Sequence, residues 1–191
     1  MLIRHGQTDW NVEGRWQGQA DPPLNDRGRE QARCVAEYQR RYGFAALYSS
    51  DLRRAMETAE VIGAEMGLDV IPEPRLREIN LGRWQRMLSA DIQAQYPDEF
   101  RLWHESPLLA APPPSGESVV TLTARVLEAV NEILARHPQQ RIGIVSHELP
   151  IAVILCCAAG LGLWHLRSMI PQTGAWNEVI LPGVLKGAIE T

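Results

Sequence analysis

Two histidines and a pair of arginines in this 191-residue chain stand just beyond stretches that read as β-strands. His5 follows Leu2-Ile3-Arg4 and precedes Gly6, His147 follows Gly143-Ile144-Val145-Ser146, and Arg53 and Arg54 follow Tyr48-Ser49-Ser50. A histidine at a strand end, flanked by an arginine and by a glycine that lets backbone approach a ligand, is well placed to attack phosphorus. Ligands of open α/β sheets sit beyond the carboxyl ends of the strands, so three strand ends deliver these groups toward one crevice. Arg54 falls in the first turn of a helix and His147 just before one; unpaired N–H groups at both helix starts add to an environment that suits a phosphate.

Each residue taken singly has a plainer reading. Arg54 fits an exposed position on an arginine-rich helix, His147 a hydrogen-bonded histidine at the top of a core strand, and His5 a buried partner of a main-chain carbonyl. Glu78, in Leu76-Arg77-Glu78-Ile79, fits a cap or a partner of Arg77. The coincidence of three strand exits is what carries the functional reading. His104, His137 and His165 lack such placement and read as structural, His137 closing a helix beside Pro138, where a cation favours the dipole.

The elements that must hold these residues alternate between strand and helix. Apolar runs predict strands over 2–4, 45–49, 70–71, 141–146 and 176–181. Helical patterns cover 26–42 (capped by Asn25 or Asp26), 51–66 (stopped by Gly67), 89–103, 118–137 and 149–159. Residues 7–11 read as a loop, and Pro112-Pro113-Pro114 keeps the 106–116 connection from forming helix. This order implies a three-layer α/β/α fold with a mainly parallel sheet, and the length suits one domain over 1–191.

A net charge of -4 argues against a nucleic-acid binder, and the strong preference for arginine, with Lys186 the only lysine, is as compatible with genomic composition as with anion recognition. Cys34, Cys156 and Cys157 show no zinc spacing and read as reduced core residues, which points to the cytoplasm. The longest apolar stretch, 149–164, is interrupted by Pro150, Gly160 and Gly162 and falls short of the roughly 20 residues of a bilayer span, so it reads as a buried helix and no membrane partner is expected. No basic segment followed by an apolar one opens the chain, so secretion is not indicated.

An ordered series of blocks then gives the chain a family likeness. Leu2-Ile3-Arg4-His5-Gly6-Gln7-Thr8-Asp9-Trp10-Asn11 is followed by Arg15-Trp16-Gln17-Gly18, Asp21-Pro22-Pro23-Leu24, Gly28 and Gln31-Ala32. Next come Tyr48-Ser49-Ser50-Asp51-Leu52-Arg53-Arg54-Ala55 with Thr58-Ala59, Leu76-Arg77-Glu78-Ile79 with Gly82 and Trp84, Gly116-Glu117-Ser118 and Val145-Ser146-His147. Over nearly its whole length the chain resembles the phosphoglycerate-mutase-like branch of the histidine phosphatase superfamily. The resemblance implies His5 as a nucleophile that forms a phosphohistidine, with Arg4, Arg54 and His147 on the equatorial oxygens and Glu78 as general acid and then base. It selects Arg54 over Arg53, makes Asn11, Gln17 and Gly18 part of the phosphate pocket, and requires neither metal nor other cofactor.

Within that likeness, mutases carry an extra basic segment before the Gly-Glu-Ser block, whereas here about forty residues separate Glu78 from Gly116, with Arg83, Arg86 and Arg101 the only basic ones besides His104. An open site admits water, so the expected activity is that of a phosphomonoesterase acting on a small phosphorylated metabolite. A phosphoglycerate mutase and a non-catalytic phosphate-binding module are the alternatives, and a homodimer is compatible with this reading. Tyr96-Pro97-Asp98-Glu99-Phe100-Arg101-Leu102-Trp103 and Val145-Ser146-His147-Glu148-Leu149-Pro150 with Cys156 resemble metal-independent phosphoserine phosphatases, and broad-specificity phosphatases share parts of the same pattern, so phosphoserine is one candidate substrate among others. Two places depart from the family pattern: Gly82-Arg83-Trp84-Gln85-Arg86 stands where Gly-x-Trp-Glu-Gly is common, and Glu148 replaces a small residue. Glu148 joins the substrate-binding candidates, with its backbone N–H and not its carboxylate expected to face the pocket; a carboxylate there repels the substrate unless it points away or pairs with an arginine, and an intruding one would imply weak activity or a substrate carrying an amine.

Overall fold

The computed structural model describes residues 1–110, 115–181 and 183–185; the triple proline of the 106–116 connection lies outside them. Among these residues five strands form one sheet: β1 (Leu2–Arg4), β2 (Ala46–Ser49), β3 (Val70–Pro72), β4 (Ile142–Ser146) and β5 (Trp176–Asn177). Their order is β3-β2-β4-β1-β5, with every pair parallel except β1 and β5. The three central strands are buried at every position and apolar up to the polar residues that end them, Arg4, Ser49 and Ser146, as suits a sheet covered on both faces.

On one face lie α2 (Asp26–Gln39) and α3 (Arg53–Met66), closing a core of Ile3, Val35, Leu47, Ala59, Ile62 and Val145. On the other, α6 (Val119–Arg136) and α7 (Glu148–Ala158) close a larger core with Leu2, Tyr48, Leu122, Val126, Ile144 and Ile151. This is the expected three-layer arrangement. Of the two proposed caps of α2, Asn25 fills the position, its Oδ1 accepting the Gly28 N–H at 2.9 Å.

Several elements differ from the sequence expectation. Residues assigned to a loop form α1 (Asp9–Glu13), closed at its start by a reciprocal Thr8–Asn11 capping box and at its end by Gly14 in the left-handed region. The single helix expected over 89–103 is two, α4 (Ser89–Gln95) and α5 (Pro97–Glu105), because Pro97 has no N–H to continue the first and its fixed φ starts the second. The last strand is two residues and not six, and Cys34 lies exposed on α2, not in the core, while Cys156 is buried. The apolar 149–164 stretch divides into α7 and the start of a 3-10 segment, Leu163–Met169, and among the described residues no single helix is long and apolar enough to cross a membrane.

Candidate active site

Strand register does the first part of the assembly. Arg4 pairs with Ser146 across the parallel β1–β4 ladder, so the next residues, His5 and His147, emerge side by side with ring centroids 5.1 Å apart. The ladder runs on for one bond, His5 N–H to the Ser146 carbonyl at 3.0 Å, and Ser50 leaves β2 beside them with its N–H on the Val145 carbonyl. Arg54, second residue of α3, is 1% exposed and comes up beneath the same ridge. Gly6 serves a different purpose from the one its sequence position suggests: a Cβ there would stand 2.4 Å from the Gly28 carbonyl oxygen, so it lets the loop after β1 press onto the start of α2.

The His5 ring is fixed from both ends. Nδ1 lies 2.7 Å from the Gly6 carbonyl, which places the ring hydrogen there, and Nε2 keeps its lone pair, toward which Arg54 Nε–H points at 3.2 Å. Burial first, then the Arg54 and Arg4 charges, push the His5 pKa well below the usual histidine range, so the ring is neutral and nucleophilic at neutral pH. Arg54 is held by the carbonyls of Ala20 and Gly18 at 2.8 and 2.7 Å, and burial lowers its own pKa to about 10.

His147 is fully buried and its pKa is likewise depressed, by burial and then by Arg54. Its Nε2 sits 2.7 Å from Ser50 Oγ, which also accepts the Leu52 N–H; in the tautomer in which the serine hydroxyl donates to Nε2, the imidazole hydrogen stands on Nδ1. That Nδ1 is buried with no partner among the described residues, beside the His5 ring, and in this tautomer it is a donor left over.

Glu78 occupies an irregular turn between two short 3-10 segments, Pro74–Leu76 and Gly82–Trp84, and is 9% exposed. It does not pair with Arg77, which forks onto Asp51 at 2.6 and 2.5 Å; its Oε1 takes the Ile79 N–H at 2.9 Å. Burial and then the nearby Glu148 charge push the Glu78 pKa up to about 7 against the opposing pull of Ile79 N–H, Arg54 and Arg4. The turn itself is held by Arg125 of α6. Its guanidinium donates to the carbonyls of Arg75, Arg77 and Glu78 at 2.7, 2.7 and 3.0 Å and forks onto Glu117 at 2.7 and 2.8 Å. Glu117 in turn accepts the Asn80 N–H and donates its own N–H to the Asn80 carbonyl.

Arg4, His5, Asn11, Gln17, Gly18, Arg54, Glu78 and Glu148 all line one pocket of about 360 Å³, and His147 lies directly behind it. Asn11 Oδ1 is committed to Thr8, leaving its amide N–H groups as donors. The Glu148 side chain does enter the pocket, contrary to expectation: the adjacent guanidinium draws it in, Arg4 Nη2 to Oε2 at 2.8 Å. Arg4 Nη1 donates to the Pro171 carbonyl at 2.5 Å, and its Nε is buried without a partner among the described residues. His104, read as structural, lines the pocket, as do Arg15 and Arg167. Arg125 and Arg167 carry no signal in the sequence pattern, whereas Ser50 and Glu117 lie in blocks that the family likeness had already marked. Among the described residues no three His, Cys, Asp or Glu side chains are grouped to hold a metal ion.

Comparison with known proteins places this geometry. Phosphoserine phosphatase 1 of Hydrogenobacter thermophilus is 37% identical over 163 residues, 85% of this chain and 77% of that protein. A probable phosphoglycerate mutase of Proteus mirabilis is 39% identical over 171 residues, 88% and 78% of the two chains. The solved mycobacterial glucosyl-3-phosphoglycerate phosphatase in complex with VO3 superimposes with a TM-score of 0.82 at 36% identity, covering 90% of this chain and 85% of its own. With two buried imidazoles, a buried guanidinium and a carboxyl of raised pKa around one pocket, and the family model for the histidine phosphatase superfamily (branch 1) matching residues 1–183, the chain belongs to that superfamily.

Proposed function

We propose that this protein is a phosphomonoesterase that hydrolyses a small phosphorylated metabolite through a phosphohistidine on His5. The observation that carries the reading is the neutral His5 ring, its Nε2 lone pair toward a pocket that also holds Arg4, Arg54 and Glu78. Nε2 attacks phosphorus in line with the ester oxygen; the N–P bond forms as the ester O–P bond breaks, and Glu78 gives its proton to the leaving oxygen. Water then attacks the same phosphorus, its proton returns to Glu78, and the N–P bond breaks to release phosphate and neutral His5. Arg4, Arg54, the Nδ1–H of His147 and the donors of Asn11, Gln17 and Gly18 hold the phosphoryl oxygens, stabilising charge by hydrogen bonds fixed in advance. Arg54 is then released from Nε2 as phosphate arrives. One sheet and a family match over residues 1–183 support a single domain.

Hydrolysis is favoured over mutase activity because none of Arg83, Arg86 and Arg101 from the segment after Glu78 lines the pocket, so that wall offers no guanidinium to retain a second phosphoryl group. The test is turnover of a chromogenic phosphomonoester by pure, folded protein in the presence of chelator. Turnover that vanishes in His5→Ala is expected; no turnover at all would leave a phosphate-binding module. With 3-phosphoglycerate, free phosphate is expected, and a 2-phospho isomer would establish the mutase.

A further inference from the structure

The phosphate end of the pocket accounts for only part of its lining. The remaining lining includes Trp10, Trp103, Leu149 and Ile170 together with Arg15, His104 and Arg167, of which His104 and Arg167 are exposed. Four arginines border the pocket, and three are committed. Arg4 is paired with Glu148, Arg15 with Glu13 at 2.8 Å and the Arg86 carbonyl at 2.7 Å, and Arg54 is bound to two carbonyls and His5. Arg167 makes one hydrogen bond, Nη2 to the Trp103 carbonyl at 2.6 Å, and among the described residues it forms no ion pair, the Glu148 carboxylate acting on its charge without bonding to it. That bond ties the 3-10 segment carrying Arg167 to α5 at the residue before His104, bringing the guanidinium and the imidazole to the same part of the lining. The His104 ring is held in place by its own bond, Nδ1 to the Phe100 carbonyl at 2.8 Å, and by packing on Phe100 and Trp16.

A partly desolvated guanidinium with donors left over, at the mouth of a phosphate pocket, suits a second, planar anion. We infer that Arg167, with His104 beside it, forms a subsite for a carboxylate on the leaving group, so that the preferred substrates are phosphomonoesters of small hydroxy- or amino-carboxylates. Three relatives point the same way in their names alone: phosphoserine, phosphoglycerate and glucosyl-3-phosphoglycerate each carry a carboxylate on the group bound to phosphate. This inference rests on the phosphatase reading above and selects among its substrates.

Matched pairs that differ in the carboxylate test it: 3-phosphoglycerate against glycerol 3-phosphate, and phosphoserine against phosphoethanolamine, with p-nitrophenyl phosphate reporting the phosphate end. The carboxylate member of each pair is expected to have kcat/KM about tenfold higher or more, and Arg167→Gln is expected to shrink that ratio to about threefold or less, mainly through KM. On the unaltered enzyme, glycerate is expected to compete with p-nitrophenyl phosphate at concentrations where glycerol does not, a readout that needs no variant to fold. Turnover of p-nitrophenyl phosphate with no preference in either pair, or a preference that survives in folded Arg167→Gln, overturns the subsite and leaves the phosphatase standing. No turnover of any ester overturns both.

Discussion

At the level of single residues, the site depends on two groups whose burial moves their protonation in opposite senses. His5 is driven toward its neutral form, as a nucleophile must be, and Glu78 toward its protonated form, as an acid must be. Free enzyme holds both correctly between the depressed His5 pKa and about 7, so kcat/KM for a poor leaving group is expected to fall about tenfold per pH unit above 7, as Glu78 loses its proton. Glu78→Gln is expected to abolish that alkaline limb and to slow alkyl phosphates far more than a nitrophenyl ester, about 100-fold against tenfold or less, measured as kcat/KM across leaving groups. Equal slowing would remove Glu78 from the acid role. His5, His147, Arg54 and Glu78 were legible as candidates because strand ends and the family blocks mark them. Glu148 was misread because its position beside the Arg4 guanidinium is a contact between residues 144 apart, invisible to local pattern.

At the level of elements, the carboxyl proposed as the acid, Glu78, sits on a turn with no regular hydrogen bonding of its own, and α6 supplies what the turn lacks. Arg125 looks in sequence like the polar face of an amphipathic helix, yet its guanidinium satisfies three carbonyls of the turn and both oxygens of Glu117. It acts as a positioning residue for Glu78. Arg125→Ala is expected to cost roughly 3 kcal/mol of stability and to cut turnover of alkyl phosphates about 100-fold, with nitrophenyl turnover cut much less and Arg125→Lys recovering part of the loss. Chemical denaturation and the leaving-group series check the two halves; a uniform loss across leaving groups would mean that Arg125 only supports the fold. The helix break at Pro97 was signalled and passed over, since apolar periodicity continues across it. The first helix was missed because it is five residues long and buries none of them, so it has no amphipathic period to read.

For the molecule as a whole, this site is held at a cost in stability. The Glu78 pKa lies near 7 when folded and near 4.5 when exposed, so the native state binds more proton between those values. Stability from this group is fully present below about 4.5 and is lost as pH rises to about 7, a change on the order of 3 kcal/mol. Glu78→Gln is therefore expected to raise the melting temperature at pH 8 and to leave it nearly unchanged at pH 5. A variant less stable than the parent at pH 8 would contradict the burial of a charged carboxyl. The fold that carries this site was legible in outline, because buried parallel strands are continuous apolar runs that alternate with helical periods. The order β3-β2-β4-β1-β5, which sets His5 beside His147, depends on pairings across the whole chain that no local pattern encodes.

The central claim, that His5 carries the phosphoryl group during turnover, is tested most directly by quenching enzyme mixed with an excess of a rapidly cleaved phosphomonoester and mapping the protein by mass spectrometry under alkaline conditions. One added phosphoryl group on His5, acid-labile and formed within the first turnover, is the expected result. Turnover with no phosphorylated protein at any time, or with the phosphoryl group on another residue, would contradict it.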